Sequence, residues 1–282
     1  MTLDLSRAAL EQGRVLDVEH LDGGLIEMTV ALPLLAHRVR PGEFAQLRCS
    51  PAVTPLLRRP FSVAWTDGEA CSFVFEVVGA GTRLLAAMRP GDTLDSLGPL
   101  GRGFTLEDVV GPVVCVSGGL GCAPFPILCR ALRARGVEDI VVLNGAATAA
   151  RLYPAERFRR GDPAIEVVEA TDDGSRGHHG RVTDLVGRHL ARAAAVFACG
   201  PNPMLATLAA LTAELSRPET RVEASLEAPM GCGFGTCLGC ALPVRARGGG
   251  SRWALCCADG PVMPVRDVAW AELAELPPPN VA

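Results

Sequence analysis

The sequence predicts a chain of three parts, an α+β and α/β multidomain architecture: an antiparallel β-barrel, then a parallel-sheet α/β domain, then a small cysteine-rich lobe. Three observations predict this fold class. Short alternating runs fill residues 13–105, continuous apolar runs spaced by helical segments fill residues 110–226, and five of the eleven cysteines lie within residues 231–257. The domain boundaries that these patterns predict are 1–106, 107–226 and 227–282.

The barrel is predicted from five short runs that alternate apolar and polar residues, as half-buried strands do. These runs are RVLDVEHL, LIEMTVALP, FAQLRC, FSVAW and CSFVFEVVG, and Gly, Pro and Asp turns separate them. One helix-like run, TRLLAAMR, interrupts the series. Because a sheet of short antiparallel strands can close into a barrel, we expect an antiparallel barrel with a single inserted helix.

The second part contains runs that are apolar throughout. They are PVVCVSG, DIVVLNG, AIEVVEA, AAVFACG and RVEASLE, and helical segments such as APFPILCRALRARG and NPMLATLAALTAELS stand between them. Strands that are apolar on both faces must be covered on both faces, which indicates a parallel sheet between two helical layers.

Composition excludes several classes of protein. The net charge of −4 offers no basic surface for nucleic acid. The first residues are polar and lack a secretory signal. Residues 109–129 carry no charge, but their seven glycines and prolines fit a strand, a turn and a helix start better than a membrane span. We therefore expect a cytoplasmic protein with no nucleic-acid or membrane partner.

Cysteine usage points to metal or redox chemistry in a reducing compartment. An odd number of cysteines with one dense cluster does not suit a disulfide framework. The remaining six stand singly among apolar neighbours, where a thiol behaves as a small hydrophobe. They are Cys49, Cys71, Cys115, Cys122, Cys129 and Cys199.

The dense cluster has the spacing of a plant-type [2Fe–2S] site. Cys232, Cys237 and Cys240 form C-x4-C-x2-C, and Cys256 and Cys257 follow after the intervening segment. Glycines between them allow sharp turns that aim backbone N–H groups at sulfur. A structural zinc site and a metal-free reactive loop are the alternatives. On spacing, either cysteine of the adjacent pair can be the fourth ligand.

Two motifs in the barrel indicate a phosphate-bearing cofactor such as a flavin. In RRPFSV, an arginine can contact a pyrophosphate, an aromatic ring can cover a cofactor ring, and a serine can bond its edge. The residues concerned are Arg59, Pro60, Phe61 and Ser62. In VVGAGTRLLAAM, Gly81 and Thr82 open a helix whose N-terminus can attract an anion. The simpler interpretations are a solvated arginine and an ordinary helix cap at Thr82.

Motifs at the ends of the parallel strands indicate a nicotinamide nucleotide. Gly118, Gly119 and Gly121 follow the first strand, although they do not complete the G-x-G-x-x-G fingerprint. Cys199 and Gly200 end the fourth strand. Ligands of open α/β sheets lie beyond the carboxyl ends of strands, so we expect both motifs at one site.

Two acidic residues are predicted to reach the same sheet edge. Asp172 and Asp173 follow the third parallel strand. Carboxylates there suit ribose hydroxyls and repel a 2′-phosphate, which favours NAD over NADP.

The motifs in this order resemble the ferredoxin–NADP reductase superfamily. The tail, with SLEAPMGCGFGTCLGC and CCADGPVMPV, is similar to the family of electron-transfer subunits of the NAD-dependent dihydroorotate dehydrogenase B, over about residues 12–272. This resemblance implies FAD, a [2Fe–2S] cluster and NAD as electron acceptor, with Cys257 as the fourth ligand. It places the flavin contacts on Arg59, Pro60, Phe61, Ser62, Val74, Phe75, Glu76, Gly81 and Thr82.

The resemblance also implies a partner. Electrons would come from an FMN-containing dihydroorotate dehydrogenase catalytic subunit that forms orotate in pyrimidine biosynthesis, in a heterotetramer of two plus two subunits. No residue of this chain is expected to oxidise the substrate itself. Cys122 after the glycine turn, and the long Gly/Arg-rich linker before the fourth ligand, depart from the family pattern.

Two rival functions stay open on sequence. The same cofactors suit an NAD(P)H-linked reductase subunit of a hydrogenase, a sulfide-type reductase or a glutamate-synthase-like complex. A zinc-stabilised regulatory or binding module on a nucleotide fold would have no redox function at all.

Overall fold

The computed structural model describes residues 5–277, and its first part is a closed barrel of six antiparallel strands. The strands follow the order β1-β2-β5-β4-β3-β6 around the barrel. Their bounds are β1 (Ala9–His20), β2 (Leu25–Ala31), β3 (Phe44–Arg48), β4 (Arg59–Asp67), β5 (Ala70–Glu76) and β6 (Thr93–Leu100). The interior is filled by apolar side chains such as Met28, Leu47 and Phe73, none of which is exposed.

The barrel differs from the sequence prediction in two details. The prediction of a single inserted helix was wrong, because α1 (Pro33–Arg38) precedes the expected helix, α2 (Ala80–Ala86). Proline at the first helical position favours α1, but six residues are too few to show a helical period. The sixth strand, β6, lies outside the five predicted runs because the buried Ser96 interrupts its alternation of apolar and polar residues.

The second half of the described chain contains nine strands and six α-helices. The strands are β7 (Val113–Gly118), β8 (Ile140–Ala146), β9 (Glu166–Thr171), β10 (His178–His179), β11 (Ala195–Cys199), β12 (Arg221–Ser225), β13 (Ala241–Arg245), β14 (Ser251–Leu255) and β15 (Val262–Pro264). The helices are α3 (Phe125–Ala134), α4 (Ala155–Phe158), α5 (Gly187–Leu190), α6 (Asn202–Leu215), α7 (Cys256–Asp259) and α8 (Trp270–Glu275).

Seven of these strands form one sheet in the order β10-β9-β8-β7-β11-β12-β15. The five predicted apolar runs are β9, β8, β7, β11 and β12, and they pair in parallel. Every residue of β7 is buried, as expected for a strand covered on both faces. The edge strand β15 comes from the cysteine-rich part of the chain and pairs antiparallel with β12.

A buried ion cluster joins the barrel to the sheet. Glu27 on β2 is 3% exposed, and its carboxylate lies 3.1 Å from the hydroxyl of Tyr153, 3.3 Å from Arg157 and 2.5 Å from Arg160. A buried carboxylate is tolerated only with such partners. The cluster therefore holds the two domains at a set distance, which determines the width of the space between them.

Two further contacts cross the same junction. Nη2 of Arg151 lies 2.7 and 2.8 Å from the two carboxylate oxygens of Glu76. The guanidinium of Arg130 on α3 lies 4.2 Å from the ring centroid of Trp65 on β4, a cation–π contact. Within residues 5–277, no helix is both long and apolar enough to cross a bilayer.

Candidate functional site: a groove beside four cysteines

A groove of about 690 Å³ lies between the barrel and the parallel sheet. Its barrel wall is formed by β4, β5 and the start of α2, and its sheet wall by the turn after β7 and the end of β11. All nine residues predicted as flavin contacts line it: Arg59, Pro60, Phe61, Ser62, Val74, Phe75, Glu76, Gly81 and Thr82. One continuous surface therefore unites residues that are separated in sequence.

The barrel wall combines a cation with an apolar surface. The ring centroids of Phe61 and Phe75 are 5.4 Å apart, so two aromatic side chains form a continuous patch. A Cβ atom on Gly81 would lie 3.2 Å from Nε of Arg59, and glycine thus lets α2 approach the guanidinium closely. The hydroxyl of Thr82 accepts backbone N–H groups of Val78 and Gly79 at 2.9 and 3.1 Å, so it also shapes the turn locally.

The sheet wall depends on glycines at the ends of two neighbouring strands. A Cβ atom on Gly121 would lie only 2.0 Å from the carbonyl oxygen of Cys199, so no other residue fits this approach. Gly118 and Gly200 are also packed together, with Met204 against both, and Gly119 has a positive φ of 56°. The predicted glycine turn and the Cys-Gly motif therefore meet, and Gly121 and Cys199 line the groove.

The thiol of Cys199 is held in its neutral form. Burial, and secondarily the charge of Glu227, raise its pKa to about 12. A neutral, polarisable side chain at this point makes the sheet wall weakly polar without adding charge.

The two predicted acidic residues lie apart from the groove. Asp172 and Asp173 follow β9, which β8 separates from β7, and both are exposed. Oδ1 of Asp173 accepts hydrogen bonds from the hydroxyl and the backbone N–H of Ser175 at 2.6 and 2.9 Å, and these bonds lower the pKa of its carboxyl. The structure does not bring these two residues to the groove, and their contact with a ribose stays a prediction.

The long linker between the third and fourth cluster cysteines is a β-hairpin. Strands β13 and β14 pair antiparallel from Ala241 opposite Leu255, and three glycines with positive φ, at 248–250, form its tip. The backbone N–H of Cys256 bonds the carbonyl of Cys240 at 3.0 Å. The hairpin therefore returns the chain to its starting point, although many residues separate the two ends.

The geometry distinguishes the two adjacent cysteines. Sγ of Cys257 lies 3.1 Å from Sγ of Cys240 and accepts the N–H of Gly235 at 3.1 Å. Sγ of Cys256 is turned away, fully buried and 3.5 Å from the carbonyl oxygen of Leu226. Only the Cys257 thiol is therefore grouped with the thiol of Cys240.

Hydrogen bonds favour the thiolate form of two cysteines in this loop, Cys232 and Cys240. Burial opposes ionisation of Cys232, but hydrogen bonds from the backbone at Phe234 and Cys237 and from the Cys237 thiol outweigh it and lower its pKa to about 7. A hydrogen bond from Cys257 lowers the pKa of Cys240 to about 6, and the same bond raises the pKa of Cys257. Thiolates are the form that binds iron.

The thiols are arranged as pairs. Cys240 lies with Cys257, and Cys232 with Cys237. Among residues 5–277, no three His, Cys, Asp or Glu side chains are grouped closely enough to hold a single metal ion. A [2Fe–2S] cluster has two irons and four cysteines, so two pairs of sulfurs fit its ligand set.

The cysteine loop and the groove share a wall. Cys237, Gly231 and Gly239 line the groove as well as belonging to the loop. Sequence reasoning missed the adjoining segment 225–230, which leads from the end of β12 towards Cys232. Every residue of this segment lines the groove. The sequence signal that could have indicated it is its position between the last parallel strand and the cysteine motif, both of which were predicted to be near the site.

Comparison with known proteins agrees with these features. Residues 227–269 match the iron–sulfur cluster binding domain of dihydroorotate dehydrogenase B. The dihydroorotate dehydrogenase B (NAD(+)) electron transfer subunit of Geobacillus kaustophilus is 38% identical over 246 residues, which cover 86% of this chain and 91% of that protein. The chain belongs to this electron-transfer subunit family. The family predicted from sequence is thereby confirmed.

A second member of the family, from Desulforamulus reducens, is 38% identical over 242 residues, with 84% of this chain and 90% of that protein covered. Solved structures confirm the fold. A chain of the NADH-dependent reduced ferredoxin–NADP oxidoreductase has a TM-score of 0.80 at 27% identity, over 93% of this chain and 91% of its own. A ferredoxin reductase of carbazole 1,9a-dioxygenase has a TM-score of 0.64 at 20% identity, over 76% and 69%, and it shows the fold alone.

Proposed function

We propose that this chain is an oxidoreductase subunit that passes electrons from a partner dehydrogenase subunit to NAD+. The partner carries FMN and oxidises dihydroorotate to orotate, a step of pyrimidine biosynthesis. The cofactors bound by this chain are a [2Fe–2S] cluster and FAD. Membership of the dihydroorotate dehydrogenase B (NAD(+)) electron-transfer family supports the substrate, the acceptor and the need for a catalytic partner.

One observation carries the relay: Cys237 is at once a cysteine of the metal-binding loop and part of the groove wall. A cluster held by this loop is adjacent to whatever occupies the groove. Electrons can pass between the two cofactors only if they are close, and the shared wall supplies that proximity.

The residues of this chain bind and orient the cofactors. Arg59 suits a pyrophosphate, and the ring patch of Phe61 and Phe75 suits a flat aromatic cofactor. Bound FAD supplies the conversion between two-electron exchange with a nicotinamide and one-electron exchange with a cluster. We assign the nicotinamide to the sheet wall, where Gly121 keeps the backbone close to Cys199.

The metal ligands proposed are Cys232, Cys237, Cys240 and Cys257. The lowered pKa values of Cys232 and Cys240 support this assignment because ligation requires thiolates. We further propose a heterotetramer of two copies of each subunit, located in the cytoplasm. Eleven cysteines without a disulfide in the described chain support a reducing compartment.

A second candidate keeps the cofactors and changes the partner. The similarity to the NADH-dependent reduced ferredoxin–NADP oxidoreductase favours it, because that protein shares the whole architecture at 27% identity. In that case the chain would be an NAD(P)H-linked reductase subunit of another complex. The higher identity to the dihydroorotate dehydrogenase subunits, 38%, favours the first function.

The division of labour is tested by assaying the purified chain alone and with its FMN partner. Alone, it should reduce an artificial dye with NADH and show no oxidation of dihydroorotate. With the partner, dihydroorotate should reduce NAD+. Turnover of dihydroorotate by the isolated chain would overturn the proposal, and a complete complex inactive on dihydroorotate would favour the second candidate.

The relay is tested by Cys237→Ser. This variant should lose the cluster but retain FAD and the reduction of that flavin by NADH, because the nucleotide motifs lie on other elements. Visible and EPR spectra give cluster content, and anaerobic titration with NADH gives flavin reduction. Loss of both cofactors together would instead make the cysteine loop a folding element.

A further inference from the structure

Gln46 on β3 is a buried amide without a partner. Its side chain is fully buried, and neither Nε2 nor Oε1 has a hydrogen-bond partner among residues 5–277. Leaving a buried polar group unpaired costs about 1–3 kcal/mol, so a partner is expected from a group that binds here.

The amide faces the cysteine loop. A Cβ atom on Gly233 would lie 2.6 Å from Nε2 of Gln46 and 2.7 Å from its Cγ, so the loop rests directly on this side chain. Gly233 has a φ of 82°, where glycine is favoured, and it follows the proposed ligand Cys232. Because residue 233 has no side chain, the backbone of the loop can approach the amide this closely.

The same face of β3 also contributes to the apolar cluster that contains two of the loop cysteines. Phe44, two residues before Gln46 and therefore on the same face of the strand, belongs to one apolar cluster with Cys240 and Cys257. Gln46 pairs in register with Pro60 on β4, which lines the groove. The amide thus lies on the barrel wall between β4 and the cysteine loop.

We propose that the side-chain N–H of Gln46 donates a hydrogen bond to a sulfur atom of the bound cluster and thereby raises its reduction potential. This inference rests on the proposed function, because it requires the cluster. In this role Gln46 contacts the cluster directly and carries no electron itself. Hydrogen bonds to the sulfurs tune the potential of such clusters, because the reduced form bears more negative charge and accepts them more strongly.

The contact is tested first in the unaltered holoprotein. The chain has two glutamines, Gln46 and the exposed Gln12 on β1, so ¹⁵N in the glutamine side-chain amide labels only two sites. Pulsed EPR of the reduced cluster should detect coupling to this label. A normal cluster spectrum without ¹⁵N coupling would overturn the inference and leave the proposed function intact. A preparation with no cluster signal at all would instead overturn the proposed function, and the inference with it.

Variants then test the effect on the potential. Gln46→Met keeps the length of the side chain and removes its N–H groups, and Gln12→Met is the matched control. In Gln46→Met the equilibrium constant for reducing the cluster from FAD should fall about tenfold, which corresponds to 59 mV for one electron. The control should keep the wild-type potential.

The two cofactors are titrated separately, the cluster by EPR and the flavin by absorbance. A Gln46→Met cluster with the wild-type potential would refute the role. If Gln46→Met does not load the cluster, the labelled wild-type protein still decides, because its spectrum requires no substitution.

Discussion

A buried cysteine of the sheet, Cys115, and two cysteines of the loop, Cys232 and Cys240, have opposite acidities. In the sheet core, a hydrogen bond that the Cys115 thiol donates to Cys129, together with burial, raises the pKa of Cys115 well above its usual value. In the loop, hydrogen bonds lower the pKa of Cys232 to about 7 and that of Cys240 to about 6. The same side chain is a neutral apolar filler in one region and a readily ionised thiol, the form that metal binding requires, in the other. The difference comes from the hydrogen bonds, which stabilise the thiolate at Cys232 and Cys240 and the neutral thiol at Cys115.

The largest effect is expected where the two kinds of cysteine are adjacent. Cys257→Ala should abolish the cluster, because it removes the thiol that lies beside Cys240. Cys256→Ala should retain the cluster, because that thiol faces the carbonyl of Leu226. Iron and sulfide content, together with the EPR spectrum of the reduced protein, measure the outcome.

Each of these two variants is the control of the other, since both remove one thiol from the same helix start. The reverse result, in which Cys256→Ala loses the cluster and Cys257→Ala keeps it, would contradict the assignment of the fourth ligand.

The next effect is a difference in thiol reactivity after iron is removed by chelation. Because alkylation requires the thiolate, the rate for each cysteine rises with pH until the pH exceeds its pKa. Reaction should be half-maximal near pH 6 at Cys240 and near pH 7 at Cys232. Burial raises the pKa of Cys71 and Cys199 to about 12, so at pH 7 roughly one part in 10⁵ of each is ionised.

Pulse alkylation with iodoacetamide, followed by peptide mass spectrometry, gives these rates residue by residue. Cluster-loaded protein is the control and should protect the loop cysteines. Equal rates for Cys199 and Cys240 at pH 7 would remove the contrast between the two regions.

The smallest effect concerns stability alone. Cys115→Ser places a hydroxyl in a fully buried strand and should lower the free energy of unfolding by about 1–3 kcal/mol. Denaturant unfolding measures it, and Cys115→Ala is the control for the lost volume. The cluster spectrum should be unchanged, and loss of the cluster in Cys115→Ser would mean that the two regions are coupled.

The repeating patterns of this sequence predicted most of its fold. Continuous apolar runs such as β7 and β8 are stable only in a sheet that is covered on both faces, and both runs are buried interior strands of such a sheet. The strand β6 was not recognised because Ser96, which is buried, lies where the alternation that includes Leu94 needs an apolar residue. The hairpin β13–β14 was obscured by Pro243 and by the glycines at its tip, although its strands are short and largely apolar.

The site was predictable to the extent that local motifs define it. The nine flavin-contact candidates lie in two short motifs and one strand, and the groove unites them. Spacing could not choose between Cys256 and Cys257, because the choice depends on which way the chain turns after β14. Gln46 belongs to no motif, and its burial results from a loop almost 200 positions away along the chain. Asp172 and Asp173 were expected at the site from strand order, but β8 stands between them and β7.

The antiparallel edge strand β15 has a practical consequence for anyone who shortens this protein. Without residues 262–264, the N–H and C=O groups of β12 that now pair with them would face solvent. An unpaired sheet edge is a template for intermolecular association. A fragment that ends after β12 should therefore aggregate, because the cysteine-bearing tail is what covers this edge of the parallel sheet.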